Sequence, residues 1–176
     1  ILNQILCLVI IVMKKGFLYL KANLIGLKNI FHNNMIKEIR HTGIVVNNLS
    51  KSLWFYKKKL GFKVIKHMDE SGHFIDKVLG MKKIMVTTVK MVLKNEQMIE
   101  LLDFYTHKKN ISKRSINDTG PTHLAFTVDN LDRIYSDFTN DGIEFISTPE
   151  ISQDGSVRVA FCKAPEGTYI ELVELQ

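Results

Sequence analysis

The chain is poor in cysteine and has no apolar run long enough to cross a membrane. Cys7 and Cys162 are its only two cysteines, and no CxxC spacing occurs. A disulfide framework is therefore excluded, and the thiols fit a protein of the reducing cytoplasm. The apolar run over residues 1–13 is shorter than the roughly 20 residues that a membrane helix needs. The lysines come after this run, whereas the positive charges of a secretory signal precede the apolar segment.

Acidic residues are missing from the front of the chain, and this explains most of the net charge of +6. Four of the 24 basic residues lie within residues 1–34, so residues 35–176 carry 20 basic against 18 acidic groups. A nearly balanced domain of this kind argues against a nucleic-acid binder, which needs a basic face. We expect residues 1–34 to be upstream sequence or a cloning artefact, with Met35 as the natural start of a single domain.

The main feature of the remaining sequence is an internal repeat. The stretch that begins His41-Thr-Gly-Ile-Val-Val and ends at Leu49 returns as His123-Leu-Ala-Phe-Thr-Val, ending at Leu131. A helix-like segment and a glycine follow in each copy, and each copy ends on a strand-like run, with Glu100 in the first and Glu171 in the second. Repetition of this kind fixes the architecture before any local assignment.

Each copy predicts the same order of strand, helix and three strands, an α+β class built from two tandem βαβββ modules, 37–105 and 120–175. The first module is predicted as strand 38–46, helix 50–60 capped by Ser50, strand 62–68, and strands 84–93 and 97–105. The second is predicted as strand 122–128, helix 130–140, and strands 143–147, 156–162 and 168–175. Residues 106–119 are polar and aperiodic and are predicted to be the linker.

The two copies differ most over residues 67–83, which predict a loop and a short helix at 74–79. Loops on a rigid scaffold commonly carry specificity, so this segment is a candidate substrate lid. The alternative is a surface excursion with solvated His67 and His73.

Four ionisable residues hold matched places in the two copies. Side chains two apart share a strand face, so His41, Glu100, His123 and Glu171 point to faces that are otherwise small or apolar. A buried carboxylate needs a positive partner, and two imidazoles with two carboxylates suit a divalent metal such as Zn, Ni, Co, Mn or Fe. Asp103 and Glu174 fall on the opposite strand face and are expected to be solvated.

These motifs resemble those of the vicinal oxygen chelate superfamily, which includes lactoylglutathione lyase, methylmalonyl-CoA epimerase and extradiol dioxygenases. The resemblance covers residues 37–175. It is carried by the first strand of each repeat, by Phe55-Tyr56 and Leu60-Gly61-Phe62, and by Ala164-Pro-Glu-Gly167-Thr-Tyr-Ile-Glu171-Leu.

The resemblance implies a glyoxalase-like fold whose curled mixed sheets surround a metal, and a homodimer that acts on a small molecule. It implies His41, Glu100, His123 and Glu171 as the metal ligands, with Ni, Zn, Co or Mn expected before Fe. The ligand pattern is similar to that of lactoylglutathione lyase.

A metal that holds two adjacent substrate oxygens stabilises the enediolate formed when a proton leaves the carbon next to a carbonyl. Glu100 and Glu171 are the candidate catalytic bases, with Glu171 expected to stay a ligand and Glu100 to move between ligation and proton transfer. The function expected is a metal-dependent isomerase or lyase.

Three alternatives stay open from the sequence. The first is an epimerase-like enzyme, and the second is an Fe(II) dioxygenase that uses His41, His123 and Glu171. The third is a non-catalytic protein of the same fold that binds a small molecule. Arg158 is the arginine expected to meet a substrate carboxylate, although a scattered arginine is more often a surface residue.

Overall fold

The computed structural model describes residues 36–109 and 115–176. The extension over residues 1–34 and part of the predicted linker lie outside these ranges, so the predictions made for them stay predictions. Within the described ranges, no helix is long and apolar enough to cross a membrane.

The first module forms one four-stranded sheet with two helices. Its elements are β1 (Thr42–Val46), α1 (Leu49–Trp54), β2 (Lys63–Ser71), α2 (His73–Leu79), β3 (Met85–Val92) and β4 (Met98–Phe104). The strand order is β1-β4-β3-β2, in which β1 runs parallel to β4 and the other pairs are antiparallel.

The second module repeats this plan. Its elements are β5 (His123–Thr127), α3 (Leu131–Asn140), β6 (Glu150–Ile151), β7 (Val157–Lys163) and β8 (Tyr169–Leu175). The strand order β5-β8-β7-β6 has the same single parallel pair, β5 with β8. The predicted α+β fold of two modules is confirmed, as two mixed sheets that do not close into a barrel.

Both module helices begin at an asparagine. The side-chain oxygen of Asn48 accepts a hydrogen bond from the Lys51 amide at 3.0 Å, and that of Asn130 accepts one from the Arg133 amide at 2.8 Å. The predicted cap at Ser50 is therefore wrong, because the extended backbone of Asn48 already places a side-chain acceptor over the free amides of the first turn.

The end of α1 widens into one π-helical turn over Phe55–Lys59. The Leu60 amide bonds the carbonyl of Phe55 at 3.2 Å, and Gly61 then takes a φ of +77°, which ends the helix. Phe55 and Tyr56 are consecutive in sequence, yet both are completely buried. This turn therefore supplies two large aromatic side chains to the core.

One hydrophobic core joins the two modules through the faces that carry α1 and α3. Phe55 meets Phe138 edge to face at 6.2 Å between ring centroids, and Phe62 meets Phe126 at 6.0 Å. An ion pair between Lys59 and Asp141 lies beside these rings. The strand sides that face away from α1 and α3 are left out of this joint core, which consists of Ile44, Val46, Phe55, Tyr56, Phe62, Val89, Met91, Ile99, Leu101, Leu131, Phe138, Ala160, Cys162, Ala164, Ile170 and Leu172.

A buried polar contact also joins the modules. The Tyr56 hydroxyl donates to Oε1 of Glu166 at 2.6 Å, and the Ser52 hydroxyl donates to Oε2 at 3.1 Å. Burial, reinforced by the Glu166 carboxylate, raises the pKa of Tyr56 above its ordinary value, so the phenol stays a neutral donor. Glu166 lies in the turn between β7 and β8, and its contact ties that turn to the first module.

The predicted strand 143–147 is wrong as a continuous element. Only Phe145 forms a bridge, with Cys162, and the regular pairing resumes at Glu150–Ile151 with the register slipped by two residues. Pro149 lies between the two pieces and has no amide hydrogen to give to a ladder, which explains the interruption.

From the buried contact of Tyr56 with Glu166 we expect the protein to lose stability when the Tyr56 hydroxyl is removed. Tyr56→Phe should lower the free energy of unfolding by about 1.5–3 kcal/mol, because the Glu166 carboxylate loses a charged hydrogen bond. Urea unfolding followed by circular dichroism measures this change. The matched control is Tyr135→Phe, since its ring packs on Phe145 and no hydrogen bond of its hydroxyl is found among the described residues. A control change as large as that of Tyr56→Phe would contradict the prediction.

Candidate metal centre

His41 and Glu100 form the first pair, which we call the module 1 pair. In the parallel ladder Gly43 lies opposite Glu100, and His41 precedes Gly43 by two residues, so the imidazole and the carboxylate share a face. Nε2 of His41 lies 3.1 Å from Oε2 of Glu100. The Glu100 side chain is only 13% exposed.

His123 and Glu171 form the module 2 pair in the same register. Ala125 lies opposite Glu171, and Nε2 of His123 lies 3.2 Å from Oε2 of Glu171. Nδ1 of His123 is hydrogen-bonded to the Thr122 hydroxyl at 3.0 Å, and Phe161 stands edge-on to the ring. The imidazole is thereby held with one nitrogen turned to Glu171.

The four predicted ligands are brought together as two pairs and not as one cluster. No group of three His, Cys, Asp or Glu side chains able to hold a metal is found within residues 36–109 and 115–176. The reason lies in the core: Ile44 and Val46 point into it, whereas Val45, on the His41 side of β1, is 60% exposed. Each pair therefore sits on an open face.

The residues of the two pairs fit a divalent metal by their donor chemistry. Imidazole nitrogens and carboxylate oxygens are the usual ligands of Zn and Ni, and a ligating imidazole commonly has its second nitrogen hydrogen-bonded, as Thr122 does for His123. Nδ1 of His41 is buried and has no partner within the described part of the chain. An unpaired buried nitrogen is destabilising, so His41 has a hydrogen-bonding capacity that its surroundings leave unused.

Lys90 is a site residue that the sequence interpretation missed. It lies opposite Glu100 in the β3–β4 ladder, and its Nζ is 3.5 Å from Oε1 of Glu100. Phe161 holds the equivalent place opposite Glu171 in the second module. The repeat could have revealed this position, because Lys90 and Phe161 each precede the glutamate of their module by ten residues.

Segment 67–83 forms part of the site face of the first module. Strand β2 runs further than predicted, to Ser71, and α2 follows it. Ile75 of α2 packs with Ile84 and Val86 against Leu102 and Phe104, which share the face of Glu100. The segment thus forms a wall on this face, and His67 and His73 are exposed, as the alternative expected. Its contact with substrate stays a prediction.

A cavity of about 540 Å³ opens at the seam between the edge strands β1 and β5. Its walls include residues 42–47 from β1 and its turn, residues 121–124, and residues 166–169. Of the four predicted ligands it contains only His123. The cavity therefore adjoins the module 2 pair, and we do not identify it with the whole metal centre.

Asp103 is not solvated, contrary to expectation. It is 8% exposed, and Lys108 donates to its Oδ1 at 3.1 Å. The face of β4 opposite Glu100 is the core face, so a carboxylate there is covered and takes its partner from the segment that follows the strand.

Glu174 has hydrogen-bond partners within the protein, whereas it was expected to be solvated. Oε2 of Glu174 accepts from the Leu131 amide at the start of α3 and from Arg158, each at 3.3 Å. Arg158 makes two further hydrogen bonds to Asp132, at 2.6 and 2.8 Å, which lower the pKa of that carboxyl. Arg158 is therefore engaged on the helix side of the second sheet, with Asp132 and Glu174, and its contact with a substrate carboxylate stays a prediction.

Comparison with known proteins identifies the family to which the chain belongs. The model of the Glyoxalase/Bleomycin resistance protein/Dioxygenase superfamily matches residues 38–172. The chain belongs to this superfamily, and the resemblance inferred from its motifs is confirmed. The superfamily includes enzymes such as glyoxalase I.

The match covers most of the length of each of three similar proteins. The uncharacterized protein YwkD of Bacillus subtilis is 29% identical over 144 residues, which cover 80% of this chain and 98% of YwkD. A glyoxalase family protein from Bacillus cereus is 25% identical with a TM-score of 0.74, covering 81% of this chain and 97% of its own. The trypanothione-dependent glyoxalase I of Leishmania major is 25% identical with a TM-score of 0.57, covering 79% and 87%.

Cys162 lies in the core and is predicted to be unreactive. It is fully buried, and burial raises the pKa of its thiol to about 12. Because only the thiolate is nucleophilic, a Cys7→Ser variant should react with iodoacetamide at pH 8 about a thousandfold more slowly than a free cysteine. Mass spectrometry measures the rate, and the same variant in urea provides the control. Labelling of the folded variant at the rate of free cysteine would disprove this assignment.

Proposed function

We propose that this chain is a metal-dependent isomerase or lyase of the glyoxalase type, which moves a proton on the carbon next to a carbonyl group of a small substrate. The observation that carries the proposal is the identical register of the two pairs. Each places an imidazole and a carboxylate about 3 Å apart on an open strand face. The likeness to the glyoxalase I of Leishmania major supports the same class of reaction.

The proposed ligands are His41, Glu100, His123 and Glu171, drawn from two copies of the chain. The joint core holds the helix-bearing faces of the two modules together, and the described residues of one chain do not gather the two pairs into one cluster. A second copy related by a twofold axis can bring its module 2 pair to the module 1 pair of the first. The proposal is therefore a homodimer with two shared sites.

Once bound, the metal supplies Lewis acidity to two adjacent oxygens of the substrate. Glu171 remains a ligand, with Phe161 beside it and no cation opposite it in the ladder. Glu100 is assigned the proton transfer from and to the substrate carbon because, unlike Glu171, its carboxylate has a second partner besides its histidine, the Lys90 ammonium. Four protein ligands of this kind favour the isomerase or lyase over a dioxygenase, which uses only three.

Mixing two inactive variants tests the shared site. His41→Ala removes a ligand from the module 1 pair, and His123→Ala removes one from the module 2 pair. A heterodimer of the two, isolated with two affinity tags, contains one site with both pairs intact, so it should bind one metal ion while each homodimer binds almost none. Elemental analysis after dialysis measures the ion.

Two other outcomes would contradict this proposal. A wild-type protein that binds metal, with a heterodimer that stays empty, would place the whole site within one chain. A wild-type protein that binds no divalent metal under any loading would remove the metal-dependent reaction and favour a binding protein of the same fold.

The two glutamates are expected to respond differently to amide substitution. Glu100→Gln should retain metal and lose proton exchange on a hydroxyketone by about 10²–10⁴-fold, the usual contribution of a general base. Glu171→Gln should lose metal affinity first. Exchange is measured as deuterium uptake from heavy water by NMR, with Glu150→Gln, an exposed position in β6, as the control. Wild-type exchange by Glu100→Gln would end the assignment of Glu100 as the base.

A further inference from the structure

Two lysines lie directly opposite each other on the site face of the first module. Lys66 of β2 pairs with Lys90 of β3 in the antiparallel ladder, so their side chains share a face. The next pairing in the sheet, Lys90 with Glu100, shows that this is the face of the module 1 pair. Like charges that face each other across strands destabilise a sheet, and an anion beside them offsets this cost.

Glu100 supplies that anion to Lys90. The Lys90 side chain is 23% exposed, and its ammonium is 3.5 Å from one carboxylate oxygen while His41 contacts the other. For the exposed Lys66, the described residues provide no ion-pair partner. The Glu100 carboxylate therefore contacts one imidazole and one ammonium group. Glu70, which shares the β2 face of Lys66, accepts instead from the Thr88 hydroxyl at 2.9 Å.

This arrangement changes when Glu100 becomes a metal ligand, as proposed above. The negative charge of the carboxylate is then shared with a dication, and the partly buried Lys90 is left short of a counter-charge. In the second module no lysine is left without a counter-charge at this position, because Phe161 lies opposite Glu171. The charge imbalance is thus confined to one side of the site.

We propose that Lys90, with Lys66 beside it, forms a subsite for an anionic group of the substrate, a carboxylate or a phosphate. This group takes the place beside Lys90 that the Glu100 carboxylate occupies here, while the substrate oxygens meet the metal. The inference rests on the proposed function, and it narrows the substrate to one with an anionic group near its reacting carbon. Because Phe161 stands on the other side, the anion also fixes which end of the substrate points to β3.

Two probes with the same chelating group test the subsite. Acetohydroxamate and succinomonohydroxamate both present two adjacent oxygens to a metal, and only the second carries an additional carboxylate. Their dissociation constants are measured on the full-length, cobalt-loaded protein by calorimetry. The wild type should bind the carboxylated probe about tenfold more tightly or better, the size expected for one charged hydrogen bond.

Substitutions then assign the preference to the lysines. Lys90→Met should bring the ratio of the two dissociation constants close to one, Lys90→Arg should retain the preference, and Lys66→Met should reduce it in part. Lys58→Met is the matched control, since it removes the same charge from an exposed position in the π-helical turn and should leave the ratio unchanged. The Arg variant keeps the test valid if the Met variant does not fold.

The failures of the two proposals are distinguishable. A protein that binds neither cobalt nor acetohydroxamate contradicts the proposed function itself. The lysine subsite is contradicted if the protein binds both but shows no preference for the carboxylated probe. It is also contradicted if Lys90→Met keeps the preference. Neither result contradicts the proposed metal centre.

Discussion

The parallel pairing of the first strand of each module with the last is the constraint on which the candidate site depends. It sets Gly43 opposite Glu100 and Ala125 opposite Glu171, and a histidine two residues before the small residue then meets the carboxylate. A slip of one residue would turn every side chain of the strand to the other face and send the glutamate into the core. Backbone hydrogen bonds, repeated in both modules, therefore hold the two contacts of about 3 Å.

The joint core determines which face of each sheet is buried and which is not. Aromatic contacts such as Phe55 with Phe138, and the contact of Tyr56 with Glu166, fasten the helix sides of the modules to each other. The opposite sides of the strands are consequently left outside this core, and each carries two of the four proposed ligands. Stability and function are divided between the two faces of the same strands, because a close-packed interior has no room for a hydrated metal site.

The two halves of the duplication have not stayed equivalent. The first module carries a lysine opposite its glutamate and the wall formed by α2, whereas the second carries Phe161 and only the short strand β6. One pair thus lies in charged surroundings, and the other has a hydroxyl and an aromatic ring as neighbours. A site assembled from one pair of each kind has two different ends, which is what a substrate with two different ends requires.

The sequence by itself determined the repeat, the order of the main strands and helices, and the strand face on which His41, Glu100, His123 and Glu171 lie, because alternation and turn residues are local properties. Such signals failed where tertiary packing decides: Asp103 is covered by the core, Glu174 pairs with Arg158, and of the predicted strand 143–147 only Phe145 forms a bridge. Only the tertiary structure decided that the four residues lie as two separate pairs and that Lys90 contacts one of them. Spacing along the chain fixes the face of a residue, whereas the distance between two modules is set by the packing of the core between them.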